Sequence, residues 1–192
     1  MAPSLITKYK AYFCQMATIL SARGYTPSLD SSVWLAPNAT IVGQVEMGPE
    51  STVWFSAIVR GDVARIDVGR RVNIQDGAVV HGTFGHSHTI LEDNVSVGHN
   101  AIVHGAHVKE GALIGMGAIV MDKVTVGEGA VVAAGAIVLA GTEIKKDELW
   151  AGVPAKCCGR VRDSLRDQLS QTSARYVQYA SWYQEKSASV EE

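Results

Sequence analysis

The sequence predicts an all-β fold: a triangular parallel β-helix of hexapeptide repeats, about six coils long, followed by a C-terminal helix. The first observation behind this is a period of six. Leu29, Leu35, Ile41, Met47, Val53 and Val59 are followed, after a slip, by Val68, Ile74 and Val80. After a second slip come Leu91, Val97 and Val103, and after a third Val108, Ile114, Val120, Val126, Val132, Val138 and Ile144. All 19 are aliphatic, although Val, Ile, Leu and Met make up only 51 of the 192 residues. The second observation is a companion series four places further on, small or β-branched: Val33, Ala39, Val45, Ser51, Ala57, Val63, Val72, Ala78, Val95, Ala101, Ala112, Ala118, Val124, Ala130, Ala136 and Thr142, with His107 as the exception. The third is composition. Val, Ala and Gly number 24, 23 and 19 against only 10 Leu, the reverse of a helical bundle, since Val suits strands and Leu helices.

A period of six fits neither a 3.6-residue helix nor sustained strand alternation. Three hexapeptides make one coil, with the aliphatic residue pointing into the prism and the small one near the corner. Stacking then buries a core that no single coil could bury alone.

Taken in order, residues 1–28 show no clear period and read as an N-terminal extension and lead-in. Organellar targeting by residues 1–15 is one reading of them, although an uninterrupted signal-type apolar run is absent. A second translation start at Met16 is another. Residues 29–150 form the β-helix, with loops expected where the register slips, near 60–67 and 82–90. Residues 111–120, with Gly115-Met116-Gly117-Ala118, read as tight corners, because a phosphate loop needs a strand–turn–helix context. Residues 151–192 comprise an exit turn, a helix and a tail. Gly152 and Pro154 punctuate the exit, and Val161, Leu165, Leu169, Tyr176, Tyr179 or Ala180, and Tyr183 recur at helical spacing over 161–186. That stripe should lie along a prism face or against a neighbouring subunit.

Charge narrows the functional classes. Seventeen Lys+Arg against 19 Asp+Glu give a net −2, and no basic run marks a nucleic-acid surface. The longest charge-free apolar stretch, 129–142, falls short of the roughly 20 residues of a membrane span. Cys14, Cys157 and Cys158 make no disulfide framework. An intracellular, cytoplasmic protein is expected.

All six histidines, His81, His86, His88, His99, His104 and His107, fall within 27 residues. His81 follows Val80 and His104 follows Val103, so both occupy one outward column, with Arg60 in the same column a coil below. Stacked strands lie about 4.8 Å apart, close enough for two imidazoles to share a metal at about 2.0–2.1 Å per nitrogen. His99 lies two places past Val97, around a corner, in column with Asp76 and beside Gln75. A symmetric trimer could bring His99 of one subunit to His81 and His104 of the next, and three histidines with an open position are the ligand set of a catalytic zinc site. His86 and His88 sit in the 82–89 loop, as surface residues or as a proton relay. His107 has no partner in register. Arg60 should pair with a carboxylate such as Asp62 or Asp76, while Asn73, Gln75 and Asp76 either ladder along the coil surface or support the histidines.

Together these residues resemble the γ-class carbonic anhydrase family of trimeric left-handed parallel β-helix proteins, over residues 16–186. The markers are Arg60-Gly61-Asp62, Asn73-Ile74-Gln75-Asp76-Gly77, His81, Gly98-His99 with His104-Gly105, Leu113-Ile114-Gly115-Met116-Gly117-Ala118, and Gly152-Val153-Pro154-Ala155-Lys156. The resemblance implies a homotrimer in which His81 and His104 of one subunit and His99 of the next ligate Zn2+, or Fe2+ or Co2+ in its place. It implies that Gln75, with Asn73 nearby, orients the attacking group, and that Arg60, Asp62 and Asp76 tie subunits together. The implied reaction is reversible hydration of CO2 to bicarbonate by metal-bound hydroxide. The glutamate-bearing proton-export loop of the founding members is absent, since 60–67 offers only Asp62 and Asp67, so weak activity is expected. Two other classes fit the repeat: an acyltransferase or acyl-CoA thioesterase with a histidine base in the subunit cleft, and a non-catalytic metal-binding scaffold.

Overall fold

The structure, a computed structural model, describes residues 16–188. The expectations about residues 1–15 and Cys14 lie outside the described residues. The chain winds as a left-handed parallel β-helix of six coils and the start of a seventh, and each coil contributes short strands to three faces. One face is an eight-stranded sheet in which Trp34–Leu35, Thr52–Val53, Asn73–Ile74, Ser96–Val97, Leu113–Ile114, Val131–Val132 and Glu148–Gly152 stack in parallel. The other two faces belong to one twelve-stranded sheet, because Thr40–Met47 and Ile58–Val68 run through the corner between them without a break.

The six-residue register is the packing register. Every inward aliphatic from Ile41 to Ile144 in the series is buried. Leu29 and Leu35 are half-buried against the same core, because their strands pair on one side only. At one corner Ala39, Ala57, Ala78, Ala101, Ala118 and Ala136 stack with no exposed surface; a larger side chain there would push adjacent coils apart. The turns use left-handed backbone. Asn38 (φ 67) accepts the Ser56 backbone N–H at 2.8 Å and so links one coil to the next. At Gly77 (φ +68) the Asn100 side chain occupies the space a Cβ would need.

The structure corrects three expectations. Residues 60–67 are not a loop: Ile58–Val68 is a continuous strand whose register against Thr40–Met47 shifts between Gly43 and Val45. The corner position of that coil is therefore Ile66, fully buried opposite Val45, rather than Val63. In the coil after Val103 the missing residue is lost before the corner, so Ala106 fills it at 1% exposure and His107 turns outward. The loop of the second slip leaves the stack at residues 82–88.

The C-terminal helical segment is interrupted at Gln171, which divides it into α1 (Asp163–Ser170) and α2 (Thr172–Ala188). Ser170 Oγ and Thr172 Oγ1 donate to the carbonyls of Asp167 and Gln168, an alternative to helix continuation that Ser and Thr offer. Helix α2 lies along the eight-stranded face. Tyr176 packs edge-on against Trp54 at 5.2 Å, Tyr183 meets Trp34 and Phe55 at 5.4 and 5.7 Å, and Ala180 is buried. Burial, the Asp76 charge and Tyr179 push the Tyr176 phenol up to about 12. Ahead of α1 the chain doubles back, and Ala155–Arg160 pairs antiparallel with Glu148–Gly152. Asp147 fastens this return: its carbonyl accepts the Val161 N–H at 2.8 Å and its carboxylate faces Arg160 and Arg166 at 3.3 and 3.5 Å. Among the described residues no helix is long and apolar enough to cross a membrane.

Candidate metal centre

His81 and His104 are direct cross-strand partners at the ends of Val79–His81 and Ile102–His104. Val80 and Val103 point inward and are fully buried, so the alternation of the strand turns both imidazoles outward on one face. His81 Nδ1 and His104 Nε2 stand 3.1 Å apart. Each ring's other nitrogen faces a carboxylate: His81 Nε2 donates to Asp62 Oδ1 at 3.1 Å and His104 Nδ1 donates to Asp122 Oδ2 at 3.0 Å.

These partners fix the tautomers. A carboxylate only accepts, so when both rings are neutral each carries its proton on the far side and two lone pairs face each other across the gap. A cation between them removes that repulsion. Two nitrogens bound tetrahedrally at about 2.0–2.1 Å lie about 3.3–3.4 Å apart, close to the spacing found. Burial, with Arg60 and His104 nearby, holds the His81 imidazole below its ordinary pKa against the pull of Asp62, which keeps it a neutral donor. Burial raises the Asp62 carboxyl, but Arg60 Nη1 at 2.6 Å and His81 outweigh it, and the group stays below its ordinary value.

The remaining site residues divide by face. Gln75 and Asn73 are buried on the eight-stranded sheet, where Gln75 Nε2 donates to Asn73 Oδ1 at 2.9 Å and Asn73 Nδ2 to Ser96 Oγ at 2.8 Å. None of their hydrogen bonds reaches His81 or His104. His99 pairs with Asp76, Nδ1 to Oδ2 at 2.8 Å, and both side chains are 41% exposed. Among the described residues no three His, Cys, Asp or Glu side chains converge on a metal-sized site. Arg60 takes Asp62 rather than Asp76. His107 does have a partner, contrary to the reading from register: its Nε2 donates to Glu92 Oε1 at 2.6 Å. His86 and His88 are exposed and line, with His107 and Lys123, a shallow hollow of about 270 Å³.

Sequence reasoning missed Asp122, Thr83, Ser87 and Thr89. Thr83 Oγ1 donates to Asp122 Oδ1 at 2.9 Å, and Ser87 Oγ donates to the same oxygen. Buried Thr89 donates to the His81 carbonyl and accepts the Gly105 N–H at 3.0 Å. Asp122 follows Met121, whose backbone continues the strand column beyond His104, so a polar residue one coil on was the available signal. The loop residues carry no period and gave none.

Gamma carbonic anhydrase 2, a mitochondrial protein of Arabidopsis thaliana, is 37% identical over 168 residues, 85% of this chain and 60% of its own length. A carbonic anhydrase of Geobacillus kaustophilus is 38% identical over 161 residues, 84% of this chain and 88% of its own. The chain belongs to the γ-carbonic anhydrase family. Within this family the hexapeptide pattern is shared more widely: the family model for the bacterial transferase hexapeptide (six repeats) matches residues 105–140. A hexapeptide transferase family protein from Anaplasma phagocytophilum has a crystal structure that superposes with a TM-score of 0.83 at 36% identity, covering 86% of this chain and 98% of that one. Against the plant family member, the chain spans about 60% of the relative's length.

Proposed function

We propose that this γ-carbonic anhydrase family member is a metalloenzyme that hydrates CO2 reversibly to bicarbonate, with its metal held between subunits of a homotrimer. The observation that carries the reading is the pair of ring nitrogens of His81 and His104 that face each other at 3.1 Å, each ring held by its own carboxylate. His99 of the adjacent subunit completes the set. Three imidazoles suit Zn2+, and Fe2+ or Co2+ are accommodated by the same donors. When bound there, such an ion would supply Lewis acidity, enough to lower the pKa of a water to about 7.

The outer surface beside the histidine column supports the trimer. Ile58, Val79, Ile102, Ile119 and Ile137 pair rung by rung into an outward aliphatic ladder, and Met121 and Leu139 next to it are 37% and 51% exposed. Contiguous apolar surface of this kind marks an interface. On this reading Gln75, steadied by Asn73, orients the attacking group from the neighbouring chain. Arg60, Asp62 and Asp76 hold the contacting edges, Asp62 and Asp76 by steadying His81 and His99. His86 and His88 pass protons to solvent. Turnover is low because the segment after Arg60 is a strand with no glutamate-bearing loop. Residues 29–150 supply the site, with 1–28 as lead-in and 151–192 as exit, helix and tail. The enzyme works in the cytoplasm on a small molecule, without nucleic acid or membrane partners.

Metal content and CO2 hydration measured on one purified sample test this. Three bound ions per trimer with hydration abolished by His104→Ala support it. Bound metal without hydration leaves a scaffold, and acyl transfer from acyl-CoA without hydration leaves the transferase reading that the repeat also allows.

A further inference from the structure

We propose that Asp122, clamped by Thr83 and Ser87, is the positioning residue of the metal centre, so that the 82–88 loop sets how tightly the metal is held. The proposal rests on His104 being a ligand. Asp122 Oδ2 accepts the His104 Nδ1–H at 3.0 Å, while Oδ1 accepts both Thr83 Oγ1, at 2.9 Å, and Ser87 Oγ. Ser87 Oγ in turn accepts the Thr83 backbone N–H at 3.1 Å, and the N–H groups of His86 and Ser87 donate to the Thr83 carbonyl, each at 3.1 Å. The loop thus closes on itself around one carboxylate.

A carboxylate only accepts, and the two Asp122 oxygens take all three donors. The approach is close enough to dictate the next residue. A Cβ on Gly105 (φ +61) would collide with Ser87 Oγ and Asp122 Oδ1. Glycine after His104 is therefore a condition of the clamp.

The chemistry requires a carboxylate. Three donors converge on two oxygens, and an amide offers one oxygen and an NH2 group that needs acceptors. In Asp122→Asn, an NH2 turned toward His104 demands a bare Nδ1, which moves the ring proton to Nε2, the atom facing His81. The alternative amide orientation leaves the Thr83 and Ser87 hydroxyls against a donor and opens the loop. In either orientation the nitrogen that binds metal is lost or loosened. Thr83→Ala with Ser87→Ala keeps the carboxylate but frees it to swing.

The test uses the intact protein and zinc alone. Zinc affinity is measured by chelator competition, and the His104 ring tautomer by 15N shifts of the metal-free protein with neutral imidazoles. Partners of ligating histidines affect metal affinity by about 10–100-fold. Asp122→Asn is expected to weaken zinc by that factor, with the Nδ1–H tautomer lost where the amide NH2 faces His104 and kept where its oxygen does, while Asp122→Glu restores part of the affinity. The Thr83/Ser87 double variant should weaken zinc by several-fold with the tautomer unchanged. Unchanged zinc affinity and an unchanged tautomer in Asp122→Asn would overturn the proposal. If that variant does not fold, unchanged affinity in the double variant overturns it instead. A wild type that binds zinc no better than His104→Ala removes the metal reading, and the tautomer of the metal-free protein still decides whether Asp122 positions the ring.

Discussion

His81 and His104 oppose each other across one rung of the sheet with Nδ1 and Nε2 3.1 Å apart, and each ring's other nitrogen faces a carboxylate, Asp62 for His81 and Asp122 for His104. Two imidazoles arranged this way, when neutral, offer two lone pairs that a cation could share. Among the described residues no third His, Cys, Asp or Glu joins them, and His99 lies beyond the corner with its Nδ1 against Asp76. On the proposed function, assembly and metal binding are linked.

Light scattering at micromolar concentration is expected to give about 3 × 20.5 kDa, in line with closed cyclic symmetry. Ile102→Asp, in the middle of the outward ladder, should give a monomer that has also lost its metal. A wild-type monomer would remove both the trimer and the shared site.

Mixing two inactive variants tests whose histidine completes the centre. His99→Ala and His104→Ala homotrimers should each lose most metal affinity. Co-expressed in equal amounts, they should recover about a quarter of wild-type sites, because a whole site needs one particular ordered pair of neighbours, ½ × ½, in a cyclic trimer. A site formed within one chain recovers none. Absence of recovery in demonstrably mixed trimers would show that His99 is not a neighbour's ligand.

If exposed His86 and His88 relay protons as proposed, hydration should rise with added imidazole buffer, because such relays contribute about 10²–10⁴-fold. The double variant His86→Ala/His88→Ala should lower the rate in weak buffer and leave it unchanged in strong imidazole. Full activity in weak buffer would reduce both to surface residues.

Ile114 has no exposed surface and fills the centre of a coil. Ile114→Ala should cost about 2–5 kcal/mol by chemical denaturation, the range for a buried cavity that the neighbours cannot close. Val153→Ala, at a residue 68% exposed, should stay within about 0.5 kcal/mol. Equal effects at the two positions would mean that the prism interior is not the main source of stability.

The Tyr176 phenol, ordinarily near 10.0, is raised to about 12 in the fold. Between those values the folded state holds a proton that the unfolded state has released, so stability falls as pH rises through that window. Tyr176→Phe should flatten the fall measured by denaturant titration from pH 9.5 to 11.5 (window set by those two values). An identical fall in the variant would place its cause elsewhere.

The interior was legible because one side chain per six residues meets the same environment at every coil, and a single period then names the inward positions from Ile41 to Ile144. The slips were harder to read. An inserted or missing residue can be absorbed anywhere between two inward positions, and only packing decides that Ile66 rather than Val63, and Ala106 rather than His107, turns the corner. Stacking of His81 on His104 followed from the same register, as did His99 over Asp76. Asp122 did not, because it reaches His104 diagonally across coils and is held there by an aperiodic loop. The break between α1 and α2 turns on two hydroxyls whose choice of acceptor the helical stripe conceals.

The antiparallel return of Ala155–Arg160 along Glu148–Gly152 has a colloidal meaning. A solenoid of parallel rungs offers its last rung as a template, and a second molecule stacked end to end would continue the repeat indefinitely, as amyloid does. Reversing chain direction at that rung presents the wrong polarity for another coil. It also places Lys156 and Arg160 on the outermost strand, charges that repel a like copy. Loosening the return, for instance by Asp147→Ala at its fastening, should therefore show first as filament growth on storage, before any loss of secondary structure.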